Sequence, residues 1–272
     1  MAKHRQPRSN SASGGKSGKP AAATAWEGQA AWYDERHGAG GDRLHSEVVL
    51  PAVLRQLAAA PGDRILDCCC GQGVLARLLA SQGNSVVGVD AAPALIASAK
   101  ERAGPAEQYL LGDARDLAAV LDGSSFNHAA VVLALQDLDP IEPVLAGIAQ
   151  HVAPGGRLVL VMTHPAFRIP KQARFGWDEQ RSIQYRRIDG YLQPRSVPIS
   201  TRPGQDAELA STSFHRPLSH YLNALGAEGW GVVACEELCS PKRGSAGRKQ
   251  EAEERAAREF PMFLVLTAQR LG

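Results

Sequence analysis

Three acids, Asp67, Asp90 and Asp113, each follow a short apolar run: Ile65-Leu66, Val86-Val87-Gly88-Val89 and Leu110-Leu111-Gly112. Carboxylates placed in this way accept hydrogen bonds from the hydroxyl and amino groups of a polar ligand. After the first acid comes Cys68-Cys69-Cys70-Gly71-Gln72-Gly73. Gly71 and Gly73 remove a Cβ where backbone must pass close to a ligand, and both tolerate positive φ. Behind them, Val74–Gln82 is predicted to be a helix whose first-turn N–H groups point back at that ligand. An acid about 20 residues past such a loop accepts both ribose hydroxyls, and Asp90 has that spacing. Asp113 is placed for an adenine amino group and the Ala114 N–H for a ring nitrogen. Asp67 is placed to orient the loop or a ligand amino group. The pattern points to a cofactor that carries adenosine.

Two such cofactors compete. Gly71-x-Gly73-x-x-Ala76 satisfies the loose G-x-G-x-x-G/A fingerprint of dinucleotide sites. A dinucleotide sets a pyrophosphate over the loop, however, where the Asp67 carboxylate would repel it. A sulfonium with an α-amino group would instead be attracted.

The acids need a sheet to hold them. Ile65–Cys69, Val86–Asp90, Gln108–Leu111, His128–Leu135 and Arg157–Met162 are predicted strands, apolar on both faces as covered parallel strands are. Helices are predicted between them over Val74–Gln82, Pro93–Arg102, Arg115–Leu121 and Ile141–His151. The alternation implies an α/β fold with a doubly wound sheet, in which ligands bind outside the carboxyl ends of the strands. An earlier helix is expected over His45–Ala59, with Pro51 as a kink or restart. The rhythm breaks over residues 163–213, read as an inserted cap or long loop after the fifth strand. A helix near Arg216–Glu228 and strands at Gly231–Glu237 and Phe260–Gln269 follow, the two strands suited to an antiparallel pair. Residues 1–25 hold five Lys and Arg and no acid or aromatic. They are expected to be a disordered basic tail in front of a domain over 26–272.

Composition excludes several classes. The formal charge is +2, so the chain as a whole has no strong pull toward nucleic acid or anionic membrane. No apolar run approaches the roughly 18 residues of a membrane span, and the N-terminus has no apolar core of a signal peptide. The cysteines are five, an odd number. Neighbours on a strand face opposite ways, so Cys68, Cys69 and Cys70 do not close one metal site, and none is expected. Reduced thiols in a cytoplasmic protein are the expectation.

Taken together, Asp67-x-Cys69-x-Gly71-x-Gly73, Gly88-Val89-Asp90, Gly112-Asp113-Ala114 and Val152-Ala153-Pro154-Gly155-Gly156 resemble the successive motifs of class I S-adenosylmethionine-dependent methyltransferases. The resemblance covers about Trp26 to Leu271. Cys69 departs from the commonest pattern, which has glycine there. The resemblance implies a Rossmann-like sheet of seven strands, mostly parallel with an antiparallel last strand. It also implies S-adenosyl-L-methionine as donor and S-adenosyl-L-homocysteine as product, with Ala91 and Leu135 joining the donor-side residues. Trp32-Tyr33-Asp34 resembles the element that closes over the donor, where Tyr33 either contacts the methionine carboxylate or packs its helix. Thr163–Pro170 and Phe214–Ser219 are similar to blocks of a bacterial subgroup.

On the acceptor side, His164 follows the fifth strand and serves either as acid/base or as a backbone bond in a Pro-rich turn. Gln136 orients an acceptor or caps the next helix, and His215 is a further histidine candidate. His45 is a weaker one. Arg168, Trp177 and Tyr185 lie in an insertion rich in arginine and interleaved with aromatics, suited to an anionic or aromatic acceptor. The expected activity is methyl transfer to an O, N, S or C nucleophile of a small molecule. RNA methylation and donor binding without catalysis are the alternatives. The sequence leaves the oligomeric state open.

Overall fold

The computed structural model describes residues 26–30, 34–35, 38, 40–199, 211–241 and 244–272. The expected tail, and Tyr33 with Trp32, lie outside the described residues.

Strands β1 (Arg64–Cys68), β2 (Ser85–Asp90), β3 (Glu107–Leu111), β4 (Phe126–Val132) and β5 (Val152–Thr163) form a parallel sheet. It is continued by β11 (Phe263–Arg270), antiparallel to β5, and by β10 (Trp230–Leu238), antiparallel to β11. The order is β10-β11-β5-β4-β1-β2-β3, so the seven-stranded sheet with an antiparallel last strand is present. The chain starts in the middle and winds outward both ways, which makes β1 and β4 the switch point where a crevice opens.

Helices cover both faces. On one side lie α1 (Leu50–Leu57), α2 (Val74–Ser81) and α3 (Pro93–Glu101), around a core of Ile65, Val86, Tyr109, Val159 and Val265. On the other lie α4 (Leu117–Leu121), α5 (Glu142–His151) and α6 (Leu218–Ala227), packed on Leu66, Val131, Leu158 and Trp230. The central strands are buried on both faces, which is why they read as continuous apolar runs. Ahead of α1, His45–Val49 is a π-helical turn, and Pro51 sits in the first turn of α1. Proline has no N–H to donate four residues back, so the α-helical ladder starts only around it.

The insertion after β5 is more regular than a loop. β6 (Ala173–Asp178) and β7 (Ile183–Ile188) pair as an antiparallel ribbon, and β8 (Arg195–Ile199) pairs with β9 (Ser211–His215). A last helix, α7 (Gln250–Glu259), precedes β11. No helix among the described residues is long and apolar enough to cross a membrane.

Candidate active site

A cavity of about 830 Å³ opens at the carboxyl ends of β1 to β5. Ligand pockets run to roughly 300–1,000 Å³, so this one has room for a donor and an acceptor together. Two residues at the switch point are wound to positive φ without being glycine: Cys69 after β1 (φ 63°) and Leu133 after β4 (φ 54°), and both line the cavity. Such strain collects where surrounding structure over-determines a site.

The donor half is built by strand ends. Asp90 closes β2 and lines the cavity with Ala91. Its Oδ2 accepts the Gly71 N–H at 2.9 Å and its Oδ1 accepts the Ala92 N–H at 2.9 Å. A carboxylate has about four lone-pair sites, so two remain for a ligand's hydroxyls. Burial pushes the Asp90 pKa up, and these N–H donors work against that shift. Asp113, Ala114, Cys69 and Gly71 also line the cavity. The Arg115 guanidinium lies on the Asp113 carboxylate, 2.6 Å from Oδ2, and holds its pKa below the usual range. Sequence reasoning did not single out Arg115; its place two residues past the acid was the available signal.

Gly73, Asp67 and Leu135 lie outside the lining. Gly73 has φ 81° and caps α2, and a Cβ there would run into the Tyr109 ring from β3. It is needed for close packing of strand on loop. Leu135 is wholly buried in the core. Asp67 is 2% exposed, and its Oδ2 has no hydrogen-bond partner. Burial first, then the nearby Asp90 charge, raise its pKa from 3.8 to about 7.

That shift carries a stability prediction. A carboxyl whose pKa is higher in the folded state stabilises below its unfolded pKa and loses that contribution as pH rises to about 7. Three units correspond to at most about 4 kcal/mol. Asp137 is raised to about 7 by burial and titrates in the same window. Asp67→Asn is therefore expected to remove part of the decline, gaining about 1–3 kcal/mol on wild type between about pH 4 and pH 8. Urea unfolding at the two pH values checks this; equal slopes would remove the buried charge as its cause.

The acceptor half lies beyond β4 and β5. Gln136 lines the cavity; its amide donates to the carbonyl of the strained Leu133, and its Oε1 is buried without a partner. Asp137 lines it too, hydrogen-bonded by the side chains of Gln136 and Trp26. Its chemistry was not assigned from sequence, because only the tertiary fold buries it. Leu138, Pro170, Ile199 and Phe214 line it as well, beside the hydroxyl residues Thr163, Ser211, Thr212 and Ser213, and the exposed Arg168 enters the same lining. His45 also enters the lining. Its Nδ1 lies 2.9 Å from Asp42 Oδ1, which also accepts its backbone N–H.

His164 and His215 do not reach the cavity lining. His164 is 5% exposed. Its Nδ1 accepts the N–H groups of Ala166 and Phe167 at 3.1 and 3.2 Å, and its Nε2 donates to Glu237 Oε1 at 2.8 Å. Burial holds its pKa below the ordinary histidine value. One ring nitrogen thus folds the turn that carries Arg168, and the other ties that turn to β10. His164→Ala is expected to cost about 1–3 kcal/mol of stability through orphaned N–H groups, with donor affinity unchanged. Thermal melts and calorimetric titration of S-adenosylhomocysteine check the two halves of that statement. His215 Nε2 donates to the Tyr191 carbonyl at 2.8 Å and ties β9 to the segment before β8. Trp177 and Tyr185 belong to the β6–β7 ribbon, outside the lining; the Lys249 ammonium lies 4.6 Å over the Trp177 ring.

The residues present suit an adenosyl sulfonium. Acids stand at the end of β2 and two residues past β3, and a third is buried beneath the loop. A model of a methyltransferase domain matches residues 65–156. The 2-phytyl-1,4-naphtoquinone methyltransferase of Synechococcus elongatus is 37% identical over 195 residues, 65% of this chain and 81% of that protein. An S-adenosylmethionine-dependent methyltransferase from Mesorhizobium loti superposes with a TM-score of 0.67 at 26% identity, covering 86% of this chain and all of that one. The chain belongs to the class I S-adenosylmethionine-dependent methyltransferases. Among other members, an uncharacterised methyltransferase of Synechocystis is 35% identical over 127 residues, and the chain spans 56% of its length. A glycopeptide N-methyltransferase crystallised with S-adenosylmethionine shares the methyltransferase fold at 15% identity and a TM-score of 0.54.

Proposed function

We propose that the protein moves a methyl group from S-adenosylmethionine to an O, N, S or C nucleophile of an apolar small molecule. The observation that carries this reading is one continuous cavity, acid-lined at the ends of β2 and β3 and apolar at Leu138, Pro170, Ile199 and Phe214. The naming of relatives as naphtoquinone methyltransferases supports a small, largely apolar acceptor. When bound, the donor supplies an electrophilic methyl group on a sulfonium sulfur. Asp90 would hold the ribose hydroxyls, and Asp113 with the Ala114 N–H the adenine edge. Cys69 and Gly71 would border the methionine portion.

The protein's own work is then positioning and proton handling. Donor and acceptor must meet near-collinearly at about 3 Å, and the cavity walls hold them so. Where the acceptor atom carries a proton, His45 takes it. With Nδ1–H bonded to Asp42, Nε2 is the basic nitrogen of that ring. All five cysteines are free thiols, which suits a reducing cytoplasm.

Incubation of a metabolite extract with methyl-labelled donor, followed by mass spectrometry, tests the reading. A labelled apolar product, suppressed by S-adenosylhomocysteine, is the expected result. Donor binding with no labelled product from any extract would leave a binding protein of this fold instead.

A further inference from the structure

The short turn after β4 brings two side-chain acceptors to the cavity lining, Gln136 and Asp137. The Gln136 amide is fixed in one orientation. Its NH2 group donates to the Leu133 carbonyl and to the Asp137 carboxylate, and both partners are acceptors, so a flipped amide would lose both bonds. Its Oε1 is left buried without a partner. A buried carbonyl oxygen stranded in this way is costly until a donor reaches it. Asp137, half-buried, takes a second bond from the Trp26 side chain. Two bonds leave about two of its lone-pair sites open. Burial lifts its pKa to about 7, and only those two hydrogen bonds oppose the rise; no cation of the described residues does. Its titratable neighbour is Tyr221 of α6, whose pKa burial raises, and the Asp137 charge with it. Arg216, close to Tyr221, is already bonded to the Leu138 carbonyl and to Asp139, each at 2.6 Å. β9 packs across the turn and sets the buried Ser211 and Ser213 in the same lining. Their hydroxyls rotate to donate or accept, whereas Gln136 Oε1 and the ionised Asp137 carboxylate only accept.

We propose that Asp137 and Gln136 form a hydrogen-bond-accepting subsite, and that the methyl acceptor is an apolar molecule bearing a hydroxyl or amine N–H that donates into it. The inference rests on the proposed function, since it names the acceptor's polar group in that same cavity. The donor's α-ammonium also carries N–H groups, so the chemistry has two sources. Asp137 adjoins Leu138 in the chain and packs against β9, which carries Phe214, whereas the glycine loop lies after β1. That placement favours the acceptor.

Naphthol and its methyl ether are the probes, one ring system with and without a donor. Each is titrated at about pH 8, where the Asp137 carboxyl is ionised, into wild type, Asp137→Leu, Asp137→Asn and Gln136→Met, all saturated with S-adenosylhomocysteine. Thermal melts show which variants are folded. Wild type is expected to prefer naphthol by about tenfold, the lower end of what a hydrogen bond to a charged group contributes. Asp137→Leu should bind both probes alike. Asp137→Asn keeps an oxygen but loses the charge, and Gln136→Met loses the stranded oxygen, so each should keep only part of the preference. The affinity for S-adenosylhomocysteine should be unchanged in all three. Equal affinity of wild type for the two probes, no binding of either, or a preference kept in full by the variants overturns the subsite. Loss of S-adenosylhomocysteine affinity in a folded Asp137→Asn overturns it in favour of the donor's ammonium. Failure of wild type to bind S-adenosylhomocysteine at all is a different result, because it removes the donor reading itself.

Discussion

Asp90→Ala is expected to weaken S-adenosylhomocysteine binding by about 10- to 100-fold, or about 1.4–3 kcal/mol. Two losses add. The carboxylate's remaining lone pairs no longer meet the ribose hydroxyls, and hydrogen bonds to a charged group are worth about 1.5–3 kcal/mol each. The Gly71 and Ala92 N–H groups, each 2.9 Å from that carboxylate, also lose their acceptor, so the glycine loop is no longer tied to the end of β2. The second loss acts on the free protein and lowers its melting temperature; the first acts only in the complex. Calorimetric titration with a parallel thermal melt separates them. A folded variant with wild-type affinity would remove Asp90 from the site.

The donor half was legible in the sequence because it is made by strand ends, and strand ends are set by local pattern. An apolar run that closes on Asp90 or Asp113 places the acid at the sheet's carboxyl edge whatever packs elsewhere. Gly73 shows the limit of that logic. Its positive φ follows from the motif, but the reason a Cβ is excluded is Tyr109, which arrives from β3. The acceptor half was less legible because its side chains are oriented by distant partners. His164 and Arg168 stand four residues apart in one turn, and either could face the cavity. Glu237, 73 residues later in the chain, holds the His164 ring by its Nε2, while Arg168 enters the cavity lining. The same holds for the insertion. Its apolar residues lie among arginines without long runs, so the pairing of β8 with β9 across residues 200–210 has no local signal.

His45→Ala is expected to lower the rate of methyl transfer by about 10²–10⁴-fold on an acceptor that must shed a proton, the usual scale of general-base assistance. Donor affinity should stay within about twofold. The argument runs through the histidine's orientation. Asp42 Oδ1 accepts both the backbone N–H and the Nδ1–H of His45, each at 2.9 Å, so one carboxylate oxygen caps the turn and fixes the ring tautomer. A base held by a second group in this way is the arrangement expected of an activated proton acceptor. Asp42→Asn separates the two duties. The asparagine carbonyl still caps the turn, yet it stabilises a protonated imidazole less well than a carboxylate does, so the rate should fall with little change in melting temperature. Initial rates of label incorporation, with donor saturating, read both variants. If His45→Ala transfers methyl groups at the wild-type rate, the acceptor arrives already deprotonated. Proton removal is then no part of what this site contributes.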